Sequence, residues 1–120
     1  MSWTVEAHQE FVEEFSKLAS AVKVEIEAHT RLLEAYGPEL GRPHADRLNG
    51  SKHTNMKELR FRADNGVWRV AFAFDPERKA ILLVAGDKSG RSQKRFYKTL
   101  IAKANARFDD HLSDMEGGRK

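Results

Sequence analysis

Residues 56–90 read MKELRFRADNGVWRVAFAFDPERKAILLVAGDKSG, and this stretch decides the fold. Met56–Ala63 alternates in polarity, with Leu59 and Phe61 on one face. Val67–Phe74 alternates too, with Trp68, Val70, Phe72 and Phe74 on one face. A period of two marks strands with a buried side. Between them lies Asp64-Asn65-Gly66, and Asn-Gly is a strong hairpin signal. A two-residue Asn65-Gly66 loop pairs Asp64 with Val67, sets Phe61 opposite Val70 and sets Leu59 opposite Phe72. Both apolar sets then share a face, so this register is self-consistent. A three-residue loop would set Phe61 against Arg69 and break the match. Asp75–Arg78 forms the next turn. Ala80–Gly86 (AILLVAG) is apolar on both faces and reads as a central strand.

Upstream, Trp3-Thr4-Val5 is a short β-prone start. From Glu6 to Tyr36 the pattern is helical, because Phe11, Phe15, Leu18, Val22, Ile26 and Leu33 recur on one helix face. Its length favours two helices with a joint near Leu18–Ala19, where Ser20 is a candidate cap. Gly37-Pro38 ends this segment. Residues 38–55 read as a loop with turns. Downstream, Ser92 can cap a final helix whose buried stripe is Phe96, Leu100, Ile101, Ala104 and Phe108. Residues 113–120 are expected to form a frayed tail behind a single domain over 1–112. The expected class is α+β, a small antiparallel-rich sheet in the order strand-helix-helix-strand-strand-strand-helix.

The chain has 120 residues, of which 40% are hydrophobic and 32% charged, so one core is expected and a disordered chain is not. No stretch reaches the roughly 18 apolar residues of a membrane helix, and no apolar leader opens the chain. With no cysteine, disulfide and thiolate–metal chemistry are excluded. A cytoplasmic setting is compatible with that composition. The net charge of +3 conceals a sorting: the balance is −5 over residues 1–40, +10 over 41–107 and −2 over 108–120. This points to a polyanion surface built by the middle and late chain, with a solvated basic sheet face as the alternative.

The hairpin register places Arg62 directly opposite Arg69, with Arg60 on the same face. Like charges opposed across strands are destabilising, and a bound anion would relieve them. The alternative is three solvated arginines. Lys57 ends the same hairpin. Lys88, Arg91, Lys94 and Arg95 crowd toward a helix start, where anions are favoured. Tyr97 lies one turn into that helix. His44 and His53 are candidate proton-transfer groups, though loop histidines are more often merely polar. The histidines are scattered without a metal-ligand spacing, and no nucleophile-elbow, paired-carboxylate or dinucleotide signature is present.

The hairpin text, the preceding LGRPHADRLNGSKHTN and the following KRFYKTLIAKANARF resemble the RelE/ParE toxin superfamily, in particular its phage-derived, HigB-like branch. The resemblance spans about Trp3 to Leu112. It implies the RelE-like fold and a basic catalytic concavity. It implies that Arg69 contacts the scissile phosphate, that Lys88 is the basic position after the last strand, and that Arg60 is the recurrent strand arginine. Lys57 and Tyr97 complete the implied catalytic set. Arg62, Lys52, His53, Arg91, Lys94, Arg95 and Lys98 form the implied RNA-binding set. No cofactor is implied. The implied partners are mRNA, the ribosome and a cognate antitoxin of helix-turn-helix type with an acidic contact segment. The implied activity is metal-independent endoribonucleolytic cleavage. A ParE-like gyrase inhibitor, or an inactive module that only holds its antitoxin, is the rival reading.

Overall fold

The computed structural model describes residues 2–117. A five-stranded mixed sheet runs in the spatial order β1-β5-β4-β3-β2. Its strands are β1 (Val5–Ala7), β2 (Ala45–Arg47), β3 (Met56–Ala63), β4 (Gly66–Phe74) and β5 (Ala80–Asp87). Only β1 pairs parallel, along β5, while the others are antiparallel. Helices α1 (Gln9–Ser16) and α2 (Ser20–Tyr36) cover one face, and α3 (Gln93–Gly117) covers the other.

Two helices follow the first strand, as expected, but the details differ. Glu6 and Ala7 belong to β1. The cap of α1 is His8, whose Nδ1 accepts from the Glu10 amide at 3.1 Å. Ser20 is not a cap: Ala19 holds that position without a side-chain bond. At the far end Gly37 turns with φ 57°, and the Trp3 ring lies where its Cβ would project. Ser92 does precede α3, though its Oγ lies a long 3.5 Å from the Arg95 amide. That helix runs through residues 113–117, which the sequence reads as a frayed tail; residues 118–120 lie outside the described residues. The segment read as a loop, 38–55, contains β2, which pairs Ala45 with Leu59 and Asp46 with Glu58.

The decisive hairpin forms, but shifted by two. The turn residues are Asp64 and Asn65, at φ 51° and 60°, and Gly66 pairs with Ala63 inside the ladder. Asp and Asn tolerate left-handed backbone, so the turn needs no glycine. Gly66 is there for space: a Cβ would sit 2.7 Å from Asp87 Oδ2 and 2.8 Å from Trp68 Nε1. Asp87 Oδ1 in turn accepts from the Val67 amide at 3.0 Å. The true register sets Phe61 opposite Trp68 and Leu59 opposite Val70. An even shift preserves the faces, which is why the apolar pattern alone could not detect it.

Both sheet faces are buried. Leu59, Val70, Phe72 and Leu82 pack with Phe11, Ile26 and Leu33 under α1 and α2. Met56, Ala71, Ala73 and Ile81 pack with Phe96, Leu100 and Phe108 of α3. A register shift between Ala71 and Phe72 leaves Leu83 extra in β5, so Leu83 and Val84 both join the α3 cluster. Strand β5 is thus interior and apolar on both sides, as expected, while the central position belongs to β4.

The turn assignment separates two substitutions. Gly66→Ala should destabilise by about 1–3 kcal/mol through overpacking against Asp87 and Trp68. Asn65→Gly, at positive φ, should be neutral within a few tenths of a kcal/mol. Chemical denaturation of both variants checks this, and the reverse order would mean that the turn is Asn65-Gly66.

Candidate functional site

Strand parity and register bring one set of polar groups to the α3 face. Arg60 of β3 lies directly opposite Arg69 of β4, while Arg62 lies opposite Val67. The arginine opposition expected from sequence therefore exists with a different partner. Arg69 does not stand on an open face, being only 6% exposed, while Arg60 is half-buried at the cleft. Its Nε donates to Tyr97 Oη at 3.2 Å and its Nη1 to the Trp68 carbonyl at 2.9 Å.

The anion between the arginines is internal. Glu58, 4% exposed, lies two residues before Arg60 on the same face. Its carboxylate accepts from Tyr97 Oη at 2.9 Å and lies 3.9 Å from Arg69 Nε and 3.5 Å from Arg60 Nη1. Burial pushes its pKa above the usual carboxylate value, against the opposing pull of Tyr97, Arg69 and Arg60. Burial, then the Glu58 bond, also raises the Tyr97 phenol. Lys88 follows β5, with Nζ 6.0 Å from the Tyr97 ring centroid. Burial and then the Arg69 and Arg60 charges lower its pKa.

The last helix reaches the sheet here because Gly86 lies across from Arg69 and has no side chain. A Cβ there would sit 2.9 Å from the Phe96 ring. Tyr97, the next residue, is delivered beside Glu58. At the open side Asp46 of β2 contacts Arg60 Nη1 at 3.4 Å and Arg42 Nη2 at 2.8 Å. The result is a polar cleft of about 470 Å³ lined by Arg42, Asp46, Glu58, Arg60, Lys94 and Tyr97 among others. A separate apolar groove of about 360 Å³ lies between α1 and α2 and holds none of the expected site residues.

Arg60, Arg69, Lys88, Tyr97 and Lys94 are thus gathered, and exposed Arg62 lies on the same sheet face. Others are not. Lys57 alternates onto the α1–α2 face with Leu59, and its Nζ donates to the Pro38 carbonyl at 3.0 Å. Lys52 and His53 pair with Asp109, far along α3 from Tyr97. His44 packs edge-on against His29. Arg91, Arg95 and Lys98 line a different flank of α3. Glu58 and Asp46 were missed. Glu58 was findable, because a carboxylate two residues before an arginine in a strand shares its face. Asp46 was not, because β2 is only three residues long. Among the described residues, no group of three or more His, Cys, Asp or Glu side chains could hold a metal ion.

The family described as phage-derived protein Gp49-like matches residues 13–109. "Putative toxin HigB3" of Mycobacterium tuberculosis is 49% identical over 87 residues, 72% of this chain and 74% of that protein. "Putative toxin HigB2" of the same organism is 44% identical over 90 residues, 74% of this chain; the match spans only 44% of that longer protein. In fold, a mutant of E. coli toxin RelE in the free state aligns with TM-score 0.60 at 13% identity, covering 86% of this chain and 97% of RelE. The archaeal RelE–RelB complex from Pyrococcus horikoshii OT3 gives 0.54 at 20% identity, covering 75% and 99%. The fold is that of RelE. The chain belongs to the phage-derived Gp49-like family, together with its HigB3 relative.

The raised pKa of Glu58 has a signed consequence. The folded state holds this proton more tightly than the unfolded chain. Glu58's stabilising contribution is therefore full below the ordinary value of 4.5 and is lost as pH rises through its folded pKa. Glu58→Gln removes that titration. The stability of Glu58→Gln relative to the parent should rise between pH 4.5 and 8. Urea melts of both proteins across this range check it, and a difference falling with pH would contradict the burial argument.

Proposed function

We propose that this chain is the toxin of a type II toxin–antitoxin pair, a metal-independent endoribonuclease that cuts mRNA at the ribosome in the cytoplasm. The observation that carries this reading is the cluster at the cleft: Arg60, the buried Glu58 carboxylate and the Tyr97 phenol line the opening, with the Arg69 guanidinium hydrogen-bonded to Tyr97 behind them and the Lys88 ammonium 6.0 Å from the Tyr97 ring. The names of the HigB relatives and the RelE fold support it.

In the reaction the RNA 2′-oxygen attacks the adjacent phosphorus and the bond from phosphorus to the 5′-oxygen breaks. A cyclic phosphate and a 5′-hydroxyl end result. The 2′-hydroxyl proton goes to Glu58, whose burial makes it a stronger base than an ordinary glutamate. Tyr97 orients that carboxylate. Arg69 and Arg60 stabilise the charge that builds on the phosphoryl oxygens. Lys88 gives a proton to the departing 5′-oxygen, since its lowered pKa makes it a readier acid. Lys57 and the loop histidines have no part, given where their side chains lie. The ribosome supplies RNA geometry, so a small acid–base set suffices.

Lys88→Ala should lower cleavage about 100- to 1,000-fold, the usual cost of one lost transition-state contact. Its partial exposure spares the core. Primer-extension mapping of message incubated with and without translating ribosomes is the test. Cuts confined to translated message and lost in the variant are expected. Intact message together with blocked DNA supercoiling would instead favour gyrase inhibition.

The partner in this reading is a cognate antitoxin of helix-turn-helix type; the RelE–RelB complex among the structural neighbours supports an antitoxin partner as such. Its acidic segment covers the basic cleft face. Association of the two proteins, measured by titration calorimetry, should weaken as salt rises. Affinity that strengthens with salt would contradict an electrostatic contact.

A further inference from the structure

Three guanidinium nitrogens from two arginines converge on a single oxygen at the mouth of the cleft. Asp46 Oδ2 accepts from Arg42 Nε at 2.8 Å and lies 2.8 Å from Arg42 Nη2 and 3.4 Å from Arg60 Nη1. The other oxygen, Oδ1, is held by the Arg47 amide at 2.8 Å. Arg60 Nη1 is stretched between two carboxylates, since Glu58 Oε2 lies 3.5 Å away. Both contacts are long, the one to Asp46 a stretched hydrogen bond, and the half-buried Arg60 guanidinium lines the cleft, where a ligand oxygen can compete for it. Arg42 is 74% exposed and free to move with a ligand.

We propose that Arg42 and Arg60 form a second phosphate seat beside the reacting one, and that in the free protein the Asp46 carboxylate occupies it as an intramolecular stand-in. Two arginine forks meeting at one oxygen suit a phosphodiester oxygen as well as a carboxylate. The seat adjoins the proposed reacting centre through Arg60, which both share. An RNA strand with its scissile phosphate on Arg69 and Arg60 places a flanking phosphate between Arg60 and Arg42, provided Asp46 swings out. Asp46 is therefore a competitor of substrate. It raises the threshold for RNA binding and holds Arg60 in place until RNA arrives. This inference rests on the ribonuclease reading for its biological sense but not for its test.

The probe is a fluorescent five-nucleotide RNA with every 2′-hydroxyl methylated, which cannot be cleaved, followed by anisotropy at low salt. Asp46→Asn keeps an oxygen for the Arg47 amide and removes the competing charge. It should bind the probe about three- to tenfold tighter than the parent, the range of one charge-assisted contact. The slope of log affinity against log salt should steepen by about 0.7, one further phosphate neutralised on a single strand. Adding Arg42→Gln to Asp46→Asn should abolish the gain. Glu27→Gln, exposed on α2, removes the same charge elsewhere and should leave affinity unchanged. An equal gain in Glu27→Gln would reduce the effect to net charge and overturn the seat. Unchanged or weaker binding in Asp46→Asn would also overturn it, as would a parent and variant that both fail to bind. If the seat behaves as expected while message is never cut, the seat stands and the ribonuclease reading fails.

Discussion

Two arginines face each other across the middle of the sheet, and a buried glutamate beside them offsets their repulsion. Arg60 and Arg69 are direct cross-strand partners, an arrangement that costs stability when nothing offsets it. Glu58 supplies the opposite charge from the same face, within 4 Å of both guanidinium groups. Its own desolvation is not free, and that cost is visible as a raised pKa. The cluster is therefore balanced internally while remaining strained by burial. Tyr97 fixes it to α3 by bridging Glu58 and Arg69. The hairpin, the last helix and the proposed chemistry all meet at that bridge.

The surrounding fold serves to hold this balance. Gly86 lets the Phe96 ring close onto β5 so that Tyr97 can reach the sheet. The extra residue in β5 turns Leu83 and Val84 toward α3 and strengthens the same contact. Farther along, Arg107 donates to Glu14 and to the Leu83 carbonyl, and His8, His53 and His111 each meet an aspartate at 2.8 Å. These contacts tie the second half of α3 to the body on several sides. A rigid helix is what a precisely placed phenol requires.

Much of this was legible in the sequence, and the failures have physical reasons. Alternation over 56–74 gave both hairpin strands and their buried faces. It could not give the register, because a shift of two residues leaves every side chain on its own side. The decision lay with Gly66, which reads as a turn glycine but is needed where Asp87 and Trp68 crowd the backbone. So Arg62 was expected opposite Arg69, where Arg60 stands. A like-charge pair demands an anion, and Glu58 in the same strand supplies one, so the pair by itself does not call for a ligand. Lys57 could have been set aside from sequence alone, since it alternates with Leu59 and not with Arg60. β2 could not have been found, because three residues between turns carry no periodicity. The family resemblance put Arg60, Arg69, Lys88, Lys57 and Tyr97 in one set, and the fold brings all of them but Lys57 into one cluster.

The central claim is that Glu58 is a buried counter-anion shared by Arg69, Arg60 and Tyr97. Carboxyl-carbon NMR of Glu58, recorded across pH together with the Arg69 Nε and Tyr97 ring resonances, reads that sharing directly. The account requires a Glu58 midpoint above the ordinary 4.5, with the Arg69 and Tyr97 signals shifting at the same midpoint. A midpoint at or below that value, or neighbours that do not move with it, would contradict the account.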